Sequence, residues 1–211
     1  MSGPVWERSL EVHTAAQTHA LAAALGAVLE TGDLLVLTGE LGAGKTTFTQ
    51  GLGEGLGVRA GIISPTFVLV RIHPNLPEGP RPGGPDLVHV DAYRLESAAE
   101  IDDIDLENTM DSAVTVVEWG RGRVEHLSDS RLEVELHRTR GGAAAPAEMP
   151  AETPAAGPVL DFDTDDDDEL RTVVIRGFGP RWAEAPALPG AELPEATPGA
   201  EPLPQTPERN P

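Results

Sequence analysis

The chain contains no cysteine. That absence removes a disulfide framework, a thiolate zinc site and a cysteine nucleophile at once. Positive charge is scarce as well: 15 lysine and arginine side chains stand against 35 acids, for a formal charge of -20. Such a field does not grip a phosphate backbone, so service to a nucleic-acid pathway would run through other proteins. Long apolar runs are also missing. No stretch approaches the roughly 18 apolar residues a spanning helix needs, and residues 1–8 hold no apolar signal core. A cytoplasmic location and no membrane partner are therefore expected. The six histidines are scattered without metal-ligand spacing, His13 and His19 falling on different helix faces, and read as surface or packing residues.

Lysine is almost absent. Of the 15 basic residues 14 are arginine and one is lysine, Lys45. A compact, rotatable ammonium has thus been kept at a single place. What the chain does have is a length of 211 residues and 39% hydrophobic content, enough for one domain with a substantial core. Up to Arg138 there are 21 acids against 10 bases, and beyond it 14 against 5. Even the part expected to fold is acidic.

Apolar pattern and punctuation predict a short strand at 9–12, an Ala/Leu-rich helix at about 14–29 and a buried strand at 34–37. A glycine-rich loop follows, then a helix from 45 to about 56 closed by Gly57. A strand is expected at 67–72 after the Ser64-Pro65 turn, and a Pro/Gly-rich flexible insertion at about 74–86. Strands at 87–90 and 114–117 each run into an acid, Asp91 and Glu118, with an acidic, partly helical connection at about 97–109 between them. Strands at 132–137 and 172–175 can pair as a hairpin. Residues 139–169 and 183–211 are Pro/Ala-rich and acidic and are expected to be disordered. The expectation is one α/β domain over 1–182: a three-layer P-loop NTPase-like fold with a mixed, mostly parallel sheet and a C-terminal β-hairpin at its edge.

Gly39-Glu40-Leu41-Gly42-Ala43-Gly44-Lys45-Thr46 matches G-x-x-x-x-G-K-[ST] directly after an apolar strand and directly before a helix. The glycines let successive backbone N–H groups point inward around a β-phosphate, and the helix N-terminus adds its dipole. Glu40, Leu41, Gly42, Ala43, Gly44, Lys45, Thr46 and Thr47 are the nucleotide-binding candidates. Lys45 would bridge the β- and γ-phosphates, and Thr46 would place its hydroxyl on Mg2+. The metal also needs a carboxylate at the end of a neighbouring strand. Both Asp91 and Glu118 qualify, and periodicity does not choose between them.

This loop, together with Thr47-Phe48, Ser64-Pro65-Thr66-Phe67, His89-Val90-Asp91-Ala92-Tyr93-Arg94-Leu95 and Glu118-Trp119, closely resembles the bacterial TsaE (YjeE-like) P-loop ATPases. The resemblance runs over about residues 9–182, interrupted by the two insertions. It implies an ATPase, slow alone, that works with the proteins TsaD and TsaB in making threonylcarbamoyladenosine beside the anticodon of tRNA. It implies contact with tRNA only through that complex. It further implies Glu118 as the magnesium-side acid, Thr66 as a switch near the γ-phosphate, Asp91 as a second switch that helps hydrolysis, and Trp119 lying against the nucleotide. Lys45, Thr66 and Asp91 are then the catalytic set, Thr46 and Glu118 the metal set, and ATP and Mg2+ the cofactors. The family often continues Glu-Trp with a small residue and a second glutamate, whereas Gly120 and Arg121 follow here.

A small-molecule or nucleotide kinase is the alternative reading of the loop. Kinases usually close an arginine-bearing lid over the transferred phosphoryl group, and the 74–85 loop carries only Arg81. A GTPase would show Asn-Lys-x-Asp after a late strand. The nearest match, Asn108-Thr109-Met110-Asp111, lacks the lysine and precedes its strand.

Overall fold

Leu34, Leu35, Val36 and Leu37 are all fully buried, as a strand covered on both faces must be. They form the centre of β2 (Leu34–Gly39) in the computed structural model, which describes residues 3–95, 100–101, 106–138, 170–189 and 191–192. The other strands are β1 (Trp6–Val12), β3 (Val70–His73), β4 (Asp86–Asp91), β5 (Ala113–Glu118), β6 (Arg131–Arg138), β7 (Arg171–Phe178) and β8 (Ala191–Glu192). The helices described along their whole length are α1 (Ala15–Gly26), α2 (Lys45–Leu56) and the single turn α3 (Glu107–Met110), with a 3-10 turn over Pro180–Trp182. The eight strands among the described residues join in one sheet, ordered β3-β4-β5-β2-β6-β7-β1-β8. The central four, β4, β5, β2 and β6, run parallel. β3 pairs antiparallel with β4 on one flank, and on the other β7, β1 and β8 each pair antiparallel with the strand before it in the sheet.

The alternation along β2 divides the core. Leu35 and Leu37 pack with Leu21 and Leu25 of α1 and with Phe48 and Leu52 of α2. Leu34 and Val36 face the other way, toward Ile101, Leu106 and Met110. The sheet is therefore the middle of three layers, as the pattern predicts. The hairpin of β6 and β7 forms with the expected antiparallel register, but β1 and β8 lie outside it.

Three differences have local causes. The strand expected at 67–72 starts only at Val70: the Val68 and Leu69 amides both donate to Pro65 O, at 2.9 and 2.8 Å, and Leu69 takes the left-handed φ of 67°. That turn leaves Phe67 91% exposed. The loop of 74–85 is anchored by Asn75 Nδ2 on Leu56 O at 2.9 Å and Arg81 Nη1 on Leu29 O at 2.8 Å. The tail expected to be disordered from 183 begins instead with residues that lie on the sheet. Leu188 packs against the core, Arg8 Nη1 donates to Pro186 O at 3.0 Å, and β8 pairs with β1. The expected disordered segment 139–169 and the tail beyond 192 fall outside the described residues, as does most of the acidic connection. No helix among the described residues is long and apolar enough to cross a membrane.

Candidate functional site

The phosphate loop leaves the C-terminal end of β2 and enters α2 at Lys45. Gly42 and Gly44 sit at φ 76° and 97°, where a side chain would be strained, and Gly44 is the N-cap of α2 with no side-chain cap bond. Glu40, Leu41 and Gly42 form the exposed apex, Ala43 is buried, and Thr46 and Thr47 are half-buried in the first turn of α2. Lys45 folds back under the loop. Its ammonium donates to Gly39 O at 2.9 Å and Glu40 O at 3.0 Å, and lies 4.0 Å from the centroid of the Trp119 ring. Burial lowers its pKa, against the opposing pull of the Glu118 and Asp91 carboxylates.

Parallel register delivers those two acids to the loop. Asp91 pairs with Glu118, and Glu118 with Leu37, so both carboxylates end their strands on the same edge and on the same side of β2. Each is 3% exposed, and buried carboxylates require partners. Glu118 Oε1 is 2.9 Å from His89 Nε2. Asp91 Oδ2 accepts from Thr66 Oγ1 at 2.7 Å and Ser64 Oγ at 3.2 Å, while Oδ1 accepts from the Tyr93 amide at 2.9 Å. Arg94 Nη2 donates to Thr66 O. Thr66 and Asp91, 25 residues apart, are thus one hydrogen-bonded unit.

Trp119 adopts φ 62°, a conformation unusual for a bulky residue and costing of order 1–3 kcal/mol. It is held there by its amide on Leu37 O at 2.9 Å and by Arg123 Nη1 on its carbonyl at 2.9 Å. Tyr93 meets its ring edge-on, with centroids 5.5 Å apart. Two residues on, where a second acid was expected by resemblance, Arg121 Nη2 bonds Glu135 Oε2 at 3.0 Å. Glu135 also accepts from Arg176 at 2.8 Å, and the two guanidiniums hold its carboxyl down at about 2.

Lys45, Thr66, Asp91, Glu118 and Trp119, all named from the sequence, lie together at one edge of the sheet, and His89, which the sequence did not single out, lies with them. Read as an ordinary packing histidine, it is fully buried and bonded to Glu118. The available signal was an imidazole inside the apolar run of β4, two residues before Asp91 and so on the same face. A recess of about 340 Å3 opens at the other end of α2, among Gln50, Glu54, Arg59, Ile62 and Pro80, and uses none of the loop residues.

The sequence model of the family described as "Threonylcarbamoyl adenosine biosynthesis protein TsaE" matches residues 12–144. This chain belongs to the TsaE family. Membership makes it a P-loop NTPase-type protein and implies nucleotide binding. A Streptomyces coelicolor tRNA threonylcarbamoyladenosine biosynthesis protein TsaE is 46% identical over 162 residues, 76% of this chain and 90% of the relative. The Bacillus subtilis protein of the same name is 38% identical over 123 residues, 58% of this chain and 72% of the relative. The fold is similar to the crystal structure of Bacillus subtilis YdiB, with TM-score 0.55 at 26% identity, covering 84% of this chain and 89% of that one.

Proposed function

We propose that this chain is an ATPase of tRNA threonylcarbamoyladenosine formation, binding ATP with magnesium at the 39–46 loop and turning it over in complex with TsaD and TsaB in the cytoplasm. The observation that carries this reading is the placement of Lys45 at the head of α2 beside two buried carboxylates that end adjacent strands. Lys45 exchanges its bonds to Gly39 O and Glu40 O for β- and γ-phosphate oxygens. The α2 N-terminus adds its dipole and the loop amides their donors.

The donor set suits magnesium. Thr46 and Glu118 are hard oxygen ligands flanking the loop, and His89 fixes the orientation of the Glu118 carboxylate. No group of three or more His, Asp or Glu side chains gathers around a point among the described residues. The remaining ligands would then come from phosphate oxygens and water, as is usual for this ion. Magnesium would supply charge neutralisation on the β- and γ-phosphates. Thr66 and Asp91 then position the attacking water and the γ-phosphoryl group, and Trp119 covers the nucleotide.

Docking on a protein complex is supported by exposed apolar side chains at this edge. Leu41 is 85% exposed and Phe67 91%, with Ile63, Val68 and Tyr93 also exposed, a concentration unusual for surface left in water. The kinase alternative loses its lid arginine, because Arg81 is bonded to the Gly26 and Leu29 carbonyls at the end of α1. Lys45→Ala is the test. It should abolish ATP binding in calorimetry and fail to restore modification in cells lacking the protein; normal tRNA modification by that variant would sink the assignment.

A further inference from the structure

The loop has two sides, and the two acids occupy only one. Glu118 and Asp91 lie on the β5 and β4 side of β2, and Lys45 is drawn there by their charge and by the Trp119 ring. The γ-phosphate and its metal belong on that side. β6 flanks β2 on the other side, with Leu136 opposite Gly39. Its last residue, Arg138, is two positions on and so faces the same way as Leu136, toward the layer that contains α2. A Cβ built on Gly42 would stand 3.2 Å from Arg138 Nη1. The guanidinium therefore reaches the apex of the loop from the side opposite the acids.

Resting on the nucleotide reading of the loop, we propose that Arg138 is a binding residue for the α-phosphate end of a nucleoside di- or triphosphate. Lys45 and Arg138 bracket the loop from its two sides. A polyphosphate whose terminal group lies toward Glu118 runs across the loop and presents its α-phosphate toward β6. A guanidinium offers that phosphate a planar fork of donors, matched to two oxygens at once. Gly42 leaves room for this side chain, since any Cβ there would press on it.

The discriminating feature is that ADP and ATP share the α-phosphate and differ only at the γ-phosphate. Calorimetric titration with Mg-ADP and with a non-hydrolysable Mg-ATP analogue, on the unsubstituted chain, Arg138→Ala and Arg138→Lys, reads it directly. Arg138→Ala should weaken both nucleotides by the same factor, about tenfold or about 1.4 kcal/mol. Arg138→Lys should fall between the two for both nucleotides, since it keeps the charge and loses the fork. Unchanged affinities would overturn the proposal, and so would a loss confined to the triphosphate, which would put Arg138 on the γ-phosphate. Absence of binding by the unsubstituted chain would overturn the nucleotide reading itself, and this assignment with it.

Discussion

What seats α2 also seats Lys45 and Thr46, and the seating depends on glycines. A Cβ on Gly51 would fall 2.3 Å from His19 O and 2.8 Å from Ala22 Cβ; on Gly55 it would fall 2.1 Å from Ala23 O. These obstacles are backbone and Cβ atoms of α1, which no rotamer change can move. Two effects compete in Gly→Ala. Helix propensity favours alanine by about 1 kcal/mol, while forced expansion of a packed core costs about 1–3 kcal/mol and occasionally more. Restoring ordinary contact means parting the helices by on the order of 1 Å, in an interior that tolerates little such change. The steric cost should lie near its upper end, leaving a net loss of about 2 kcal/mol. For a chain of this size that lowers the melting temperature by about 4–8 °C. Gly53 is the control. Its Cβ would meet Ile62 Cδ1 at 2.3 Å, the end of a flexible side chain that can rotate away, so Gly53→Ala should be close to neutral. Thermal unfolding followed by circular dichroism compares the three. Melting of Gly51→Ala or Gly55→Ala at or above the unsubstituted chain would refute the packing argument.

Nucleotide binding should alter tryptophan fluorescence, because Lys45 must leave the Trp119 ring, 4.0 Å away, to reach phosphate. The change should vanish in Trp119→Phe, although Trp6 and Trp182 remain. Thr66→Val, which deletes the donor to Asp91, should keep nucleotide binding while lowering partner-stimulated phosphate release by about 10²-fold; an undiminished rate would remove Thr66 from the catalytic set. Glu135, held at about 2 by Arg121 and Arg176 against an ordinary value of 4.5, has a folded-state pKa below its unfolded one. Its contribution is present above pH 4.5 and is lost as pH falls toward 2. The stability difference between the unsubstituted chain and Glu135→Gln in urea titrations should therefore shrink from pH 7 to pH 3.

The parts of the fold legible in the sequence are those fixed by local pattern. The four-residue apolar run of β2, the loop after it and α2 up to Gly57 follow from periodicity and punctuation, because each is over-determined by its own residues. The 67–69 turn was not legible. Phe67, Val68 and Leu69 have strand-like side chains, and the competing force is the bonding of two amides to Pro65 O, which local propensity does not register. In the site, Asp91 and Glu118 were identifiable as acids at strand ends. Their separate environments were not, because those depend on which strands are neighbours. Only the parallel pairing of β4 with β5 puts His89 on Glu118 and leaves Asp91 to Thr66. The same limit hid Arg138, which reaches the loop only because β6 is the strand beside β2.

The Thr66–Asp91 bond also bears on why turnover should depend on a partner. A hydrogen bond to a buried carboxylate contributes about 1.5–3 kcal/mol. For Thr66 to turn its hydroxyl toward a γ-phosphate, that bond must be given up, which reduces the population of the competent arrangement by roughly 10- to 150-fold. Arg94 adds to the restraint by holding the Thr66 carbonyl. The residues on either side of this clasp, Phe67 and Tyr93, are exposed at 91% and 64%. A protein that buries them gains apolar contact while repositioning the two loops that the clasp joins. Contact energy from Phe67 and Tyr93 would thereby offset the cost of opening the clasp. On this argument Phe67→Ala should weaken stimulation by the partner without changing the basal rate, and a fall in the basal rate would disconnect the exposed side chains from the clasp.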